Sequence, residues 1–88
     1  MLTKEQVVRY AEYISRHIDK TSPAKEIMEK AACAAASADF DRCCDLLLNA
    51  KVEDSLPPRI KDAIMKLWEE VFELSSYAPN ENTVWEVV

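Results

Sequence analysis

The sequence PPRIKDAIMKLWEEVFELSS, residues 57–76, carries the strongest helical pattern in the chain. Pro57 and Pro58 suit the start of a helix, because proline has no N–H to donate and its φ angle is already helical. After them, apolar side chains recur every three or four residues, at Ile60, Ile64, Leu67, Trp68, Val71, Phe72 and Leu74. This spacing predicts an amphipathic helix over about residues 57–76 that buries one face in a core.

The first helix is predicted to begin at Thr3, which has with Gln6 the spacing of a capping box. Its apolar face is formed by Val7, Ala11, Ile14 and Ile18. Oppositely charged residues four positions apart are expected to form ion pairs on the polar sides of the first and last helices. These pairs are Glu5–Arg9, Glu12–Arg16, Asp62–Lys66 and Lys66–Glu70.

Two helices are predicted in the centre of the chain. Ser22 and Pro23 suit the cap and first position of a helix over about residues 23–37. Its buried face is expected to consist of Ile27, Ala31, Ala34 or Ala35, and Ala38, with Met28 at the margin. Asp39 suits the cap of the next helix, which ends near residue 51 and is apolar on more than one side. That pattern predicts a central position for this helix in the fold.

The chain of 88 residues contains no glycine, 49% of its residues are apolar and 31% are charged. It is too apolar to be disordered, and without glycine it lacks tight hairpin turns and phosphate-cradling loops. We therefore predict an all-α fold, either a compact four-helix bundle or a short stack of helical hairpins, in one domain over residues 1–78. Residues 79–88 are predicted to form an extended tail, because Pro79 ends the last helix and β-branched residues follow.

The segment from Ile27 to Ala50 resembles the helical hairpin of tetratricopeptide repeats. The small and apolar positions that carry the resemblance are Ile27, Ala31 and Ala34, then Cys43, Leu47 and Ala50, with Ala38-Asp39-Phe40 at the turn. The glycine that this motif has at its turn is absent. The resemblance implies an adaptor or chaperone that holds a peptide or helix in an apolar groove.

The residue types of the chain predict no catalytic, cofactor or metal site, and so no enzyme. Cys33, Cys43 and Cys44 are expected to be buried thiols, because they lie on helices that must pack together. His17 is expected to be a solvated or half-buried side chain on the flank of the first helix, and the histidine and cysteines lack the spacing of a zinc site. The start of the chain has no apolar signal segment and no run is long enough for a membrane helix, so we expect a cytoplasmic protein.

The formal net charge is −5, and the acids are concentrated in the later part of the chain. Residues 1–30 carry six bases and five acids, whereas residues 31–88 carry five bases and eleven acids. Such a charge disfavours direct binding to nucleic acid or to an anionic membrane, and it favours a protein partner with a basic surface.

Three acidic clusters stand out: Asp39-Asp41-Asp45, Glu53-Asp54 and Glu69-Glu70-Glu73. None has the alternating ligands and tight turn of a calcium loop, so each is either a solvated surface or a contact surface for a partner. The last 22 residues contain five acids and no base, which favours a contact surface there. The predicted partner-binding residues are Glu69, Glu70, Glu73, Glu81, Trp85 and Glu86, with Trp85 as a candidate anchor.

In size and charge the chain resembles the immunity proteins of DNase bacteriocins and phage-encoded inhibitors of CRISPR effectors. We therefore predict a small acidic protein that binds and inhibits a partner with a basic surface, such as a nucleic-acid-handling enzyme or effector. The adaptor or chaperone remains the alternative. The sequence also leaves open a homodimer.

Overall fold

Four α-helices follow one another along residues 2–78, the part of the chain that the computed structural model describes. They are α1 (Lys4–Arg16), α2 (Pro23–Ala36), α3 (Phe40–Lys51) and α4 (Pro58–Leu74). The structure is 73% helical and contains no strand within the described residues, so the predicted all-α class is confirmed. The predicted tail, residues 79–88, lies outside the described residues, as does Met1.

The helices begin where their caps predict. The Thr3 hydroxyl accepts a hydrogen bond from the Gln6 N–H at 3.2 Å, and the Gln6 side chain accepts one from the Thr3 N–H at 2.9 Å. The Ser22 hydroxyl accepts from the backbone N–H of Ala24 at the start of α2. These contacts satisfy backbone donors that have no partner inside a helix.

The helices form a bundle in which each packs on the next and α4 returns to α1. No Cα atom of α1 lies within 8 Å of α3, and none of α2 lies within 8 Å of α4. Equivalent helices of successive hairpins would be neighbours in a stack, so this pattern is that of a four-helix bundle. The prediction that α3 is central is wrong, because α3 packs only on α2 and α4.

The core combines bulky side chains of α1, α3 and α4 with small ones of α2. Leu47, Ile64, Val7 and Val71 are fully buried. The buried stripe of α2 is centred on Ala24, Met28, Ala31 and Ala35, each fully buried. Met28 is therefore a core residue rather than a marginal one, and Ile27 is only half-buried. A flexible methionine fills the space that the surrounding alanines leave.

Ala38 is exposed and ends α2, so its predicted place on the buried face is wrong. Its φ angle is 59°, in the left-handed region that favours glycine. The N–H of Asp39 donates to the carbonyl of Ala34, and the N–H of Ala38 donates to that of Ala35. This is the Schellman arrangement that closes helices, here built on alanine in a chain without glycine.

Two ion pairs within 4.0 Å occur in the described part of the chain: Glu12–Arg16 at 3.9 Å and Glu26–Lys30 at 3.6 Å. The predicted Glu12–Arg16 pair is thus confirmed. The other predicted pairs, Glu5–Arg9, Asp62–Lys66 and Lys66–Glu70, do not approach to that distance. Exposed pairs gain too little energy to hold two long side chains in one geometry. No helix of the described residues is long and apolar enough to cross a membrane.

Candidate partner-binding surface

The predicted acidic surface of α4 is present on the outside of the bundle. Glu69 and Glu73 are exposed and Glu70 is half-buried. Within residues 2–78, none of the three carboxylates has a basic partner within 4.0 Å, and none accepts a hydrogen bond from another side chain. We call these three residues the α4 acids. Glu81, Trp85 and Glu86 were predicted to extend this surface and lie outside the described residues.

The α4 acids border a groove between α1 and α4 with a volume of about 490 Å³. Glu69 and Glu70 line one side of it, and the aromatic rings of Tyr10 and Tyr13 on α1 line the other. Both tyrosines lie outside the apolar stripe of α1. Two aromatic residues spaced three apart outside that stripe are the sequence signal that could have indicated this part of the groove. Lys66 is the basic residue in this groove.

Trp68 and Phe72 are packing residues, as their helical spacing predicts. Both are half-buried against the core, and their rings stack with centroids 5.0 Å apart. The indole N–H of Trp68 is buried and has no hydrogen-bond partner among the described residues. These aromatics therefore stabilise the bundle, while the tyrosines of α1 form the aromatic part of the groove.

Asp39, Asp41 and Asp45, which we call the α3 acids, differ from the α4 acids, because each accepts a hydrogen bond within the chain. Asp39 accepts a hydrogen bond from the Arg42 N–H and caps α3. Asp41 accepts hydrogen bonds from both the backbone N–H and the hydroxyl of Ser76. These two donors lower the pKa of Asp41 below its ordinary value.

Asp45 makes a further contact between α3 and the segment after α4. The Tyr77 hydroxyl lies 3.4 Å from its carboxylate, a long hydrogen bond. The negative charge of Asp45 raises the pKa of Tyr77. Asp41 and Asp45 together hold Ser76 and Tyr77 against α3.

The thiols of α3 are poorly suited to nucleophilic chemistry. Cys43 and Cys44 are buried, as predicted. Burial, with nearby negative charge, raises the pKa of Cys43 to about 12, and burial likewise raises the pKa of Cys44. Cys33 is exposed, so its predicted burial is wrong. It lies on the side of α2 that borders a groove lined by Lys30 and Arg42 rather than on the stripe that faces the core.

His17 is exposed at the end of α1, as predicted. Its Nδ1 atom lies 2.9 Å from the Tyr13 carbonyl oxygen, and the two rings are 4.5 Å apart. No group of three histidine, cysteine or acidic side chains within residues 2–78 is arranged to hold a metal ion.

Comparison of the chain with protein-family models, with curated proteins and with solved structures gave no match. Its function is therefore argued from its own surfaces.

Proposed function

We propose that this chain is a non-enzymatic inhibitor that binds the basic surface of a nucleic-acid-handling enzyme or effector. It would act in the cytoplasm in the manner of an immunity protein, an antitoxin or a phage-encoded anti-CRISPR protein. The observation that supports the proposal is the exposed surface of Glu69, Glu70 and Glu73, whose carboxylates have no basic partner within residues 2–78.

The mechanism is competition for positive charge. A protein that binds nucleic acid presents lysine and arginine side chains to phosphates. Carboxylates on one helical segment accept charge-assisted hydrogen bonds from the same side chains, and arginine binds a carboxylate in bidentate geometry. A net charge of −5 also raises the rate of encounter with a basic partner. The bound inhibitor then covers the surface that the nucleic acid requires.

The residues after the bundle are proposed to complete the contact. Glu81 and Glu86 add negative charge, and Trp85 supplies the kind of large side chain that anchors many interfaces. Charge at the edge of an interface acts mainly on association, whereas a buried anchor acts mainly on dissociation. Truncation after Pro79 is therefore expected to raise the dissociation rate, while loss of the α4 acids slows association.

A protection assay in bacteria tests the function. Cells that carry an active CRISPR effector or an inducible DNase toxin would express the chain, and phage plaquing or cell survival would be measured across a panel of such systems. We expect protection against at least one system. We expect the triple variant Glu69→Gln, Glu70→Gln, Glu73→Gln to lose most of it, because glutamine keeps the size and helix propensity but removes the charge.

A matched control carries Glu29→Gln, Glu53→Gln and Asp54→Asn. It has the same change in net charge at positions outside α4. Protection that survives in this control and fails in the α4 variant supports the proposed surface. Failure to protect against any system of the panel, with the chain folded and expressed, contradicts the proposed inhibitor.

Salt separates this proposal from the adaptor that the hairpin of α2 and α3 resembles. Binding through the α4 acids should weaken steeply as ionic strength rises, because exposed charges are screened. Binding of a peptide in an apolar groove should change little. With an identified partner, an affinity that does not depend on salt would favour the adaptor.

A further inference from the structure

The outward side of α1 carries two large aromatic side chains that are exposed to solvent. Tyr10 and Tyr13 are 50% and 58% exposed. With Gln6, Arg9, Glu12 and Arg16 they line one shallow depression of about 480 Å³. Tyrosine and arginine are enriched in the parts of interfaces that contribute most to binding. We call this surface the α1 face.

The charges of the α1 face alternate along one line. Glu5, Arg9, Glu12 and Arg16 are all exposed. They are spaced by four, three and four residues, which places them in one row on the helix, away from the buried Val7 and Ala11. Within this row the signs read negative, positive, negative, positive.

The charges of this row are complementary to those of a second, identical row that runs in the opposite direction. When a second α1 lies antiparallel, with its midpoint between residues 10 and 11 opposite that of the first, Glu5 lies opposite Arg16 and Arg9 lies opposite Glu12. All four charges then face opposite charges. In a parallel pair in register, each charge would face its own copy and be repelled. The pattern therefore distinguishes a second copy of this chain in one orientation from other arrangements.

We propose that the α1 face is a site of weak homodimerisation, in which two copies pair their α1 helices antiparallel about a two-fold axis. Tyr10 lies next to the midpoint of the helix, so the axis brings the Tyr10 and Tyr13 rings of both copies together. A two-fold interface uses the same patch on both subunits, which is what a self-complementary row supplies. The proposal does not rest on the proposed inhibitor function, because it depends on the charges of α1 and not on the α4 acids, although Tyr10 and Tyr13 border both surfaces.

The size of the α1 face sets the strength of the dimer. The 13 residues of α1 span roughly 20 Å. A single helix of this length buries less than the roughly 800 Å² per partner that is typical of stable complexes. We therefore expect a dissociation constant on the order of 100 µM, weakened by salt because the paired charges lie near the surface.

Sedimentation equilibrium of the full chain tests the proposal, from low micromolar to millimolar concentration. We expect the average mass to rise from monomer towards dimer. The variant Glu5→Lys, Glu12→Lys and the variant Arg9→Glu, Arg16→Glu should each remain monomeric, with self-association at least tenfold weaker. An equal mixture of the two should form a heterodimer, because each row then faces the opposite charge.

Two further variants keep the test decisive. Tyr10→Ser with Tyr13→Ser should weaken the dimer without adding like charges to the helix. Glu29→Lys with Asp54→Lys makes the same change in net charge as the first variant and should leave the dimer unchanged. Circular dichroism confirms that each variant is folded. A wild-type chain that stays monomeric at millimolar concentration overturns the proposal, as does a mixture of the two charge variants that fails to associate.

Discussion

The α3 acids and the α4 acids, three residues each, differ in what surrounds them. Asp39 accepts a hydrogen bond from the first turn of its own helix, whereas Asp41 and Asp45 accept hydrogen bonds from Ser76 and Tyr77 after α4. Glu69, Glu70 and Glu73 have no such contact within residues 2–78. Asp41 and Asp45 thus hold the segment after α4 beside α3 and Asp39 caps α3, whereas the α4 acids serve no such contact among the described residues. The difference shows that the role of a carboxylate depends on the donors within its reach, not on the density of charge in the sequence.

Donors reach α3 because of where α4 ends. The Ser75 N–H donates to the Phe72 carbonyl and the helix stops, so that Ser76 and Tyr77 turn back towards α3. Beyond the first turn of α4 the backbone donors are used inside the helix, so none remains for the side chains of residues 69–73.

The largest effect is expected from Leu47→Ala, which loosens α3 and with it the contacts of the α3 acids. Leu47 is fully buried in the middle of α3. Removal of a buried leucine side chain leaves a cavity and costs about 2–5 kcal/mol of unfolding free energy. For a small domain that is a large fraction of the total. A urea titration followed by circular dichroism measures the loss.

The control for this change is Leu48→Ala. Leu48 follows directly on the same helix but is 37% exposed. We expect it to cost less than about 1 kcal/mol. Equal losses for the two leucines would mean that α3 does not pack as described.

The rate of thiol labelling measures how well α3 protects its buried cysteines from solvent. Cys33 is exposed, whereas Cys43 is fully buried with a pKa raised to about 12. Because the thiolate is the reactive form, we expect Cys33 to react at least about 100-fold faster than Cys43 in the native protein. Mass spectrometry after timed exposure to a thiol reagent measures both rates. In denaturant the difference should disappear, and a fast native reaction at Cys43 would show that α3 opens readily.

The pH dependence of stability separates the α3 acids from the α4 acids. Hydrogen bonds from Ser76 hold the pKa of Asp41 below its ordinary value of 3.8. As the pH falls, the carboxylate of Asp41 is therefore protonated at a higher pH in the unfolded chain than in the folded protein. The contribution of Asp41 is fully present above about pH 4 and is lost as the pH falls through the folded pKa. Asp41→Asn should lower the unfolding temperature near neutral pH, and this difference from wild type should shrink as the pH falls below the ordinary pKa of 3.8.

The matching change in α4 should have the smallest effect on stability. The triple variant Glu69→Gln, Glu70→Gln, Glu73→Gln removes no contact within the described residues. We expect its unfolding free energy to lie within about 0.5 kcal/mol of wild type near neutral pH. A loss as large as that of the Asp41 variant would show that the α4 acids also have a structural role.

Most of the fold is predictable from local sequence signals. Thr3, Ser22 and Asp39 each lie just before a helical pattern, and each caps a helix in the structure. The errors fall where the answer depends on neighbours that are distant in the sequence. In a run of alanines and one cysteine, periodicity does not show which side faces the core, so Cys33 and Ala38 were placed wrongly.

The candidate site is predictable only in part, because some of its contacts also depend on residues that are distant in the sequence. Helical spacing places Glu69 and Glu73 outside the apolar stripe, and they are exposed. The same reasoning treats Asp41 and Asp45 as an equivalent cluster. Their donors, Ser76 and Tyr77, lie 35 and 32 residues further along the chain, and no local pattern predicts such a contact.

We propose that the α4 acids bind a basic surface and that the α3 acids do not. A titration of the isotopically labelled full chain with a hexa-arginine peptide, followed by amide chemical shifts in NMR spectra, tests this proposal. We predict that within residues 2–78 the largest shifts occur at residues 69–73, that they are at least twice those at residues 39–45, and that added salt removes them. Shifts that are equal in the two segments, or larger in α3, would contradict the proposal.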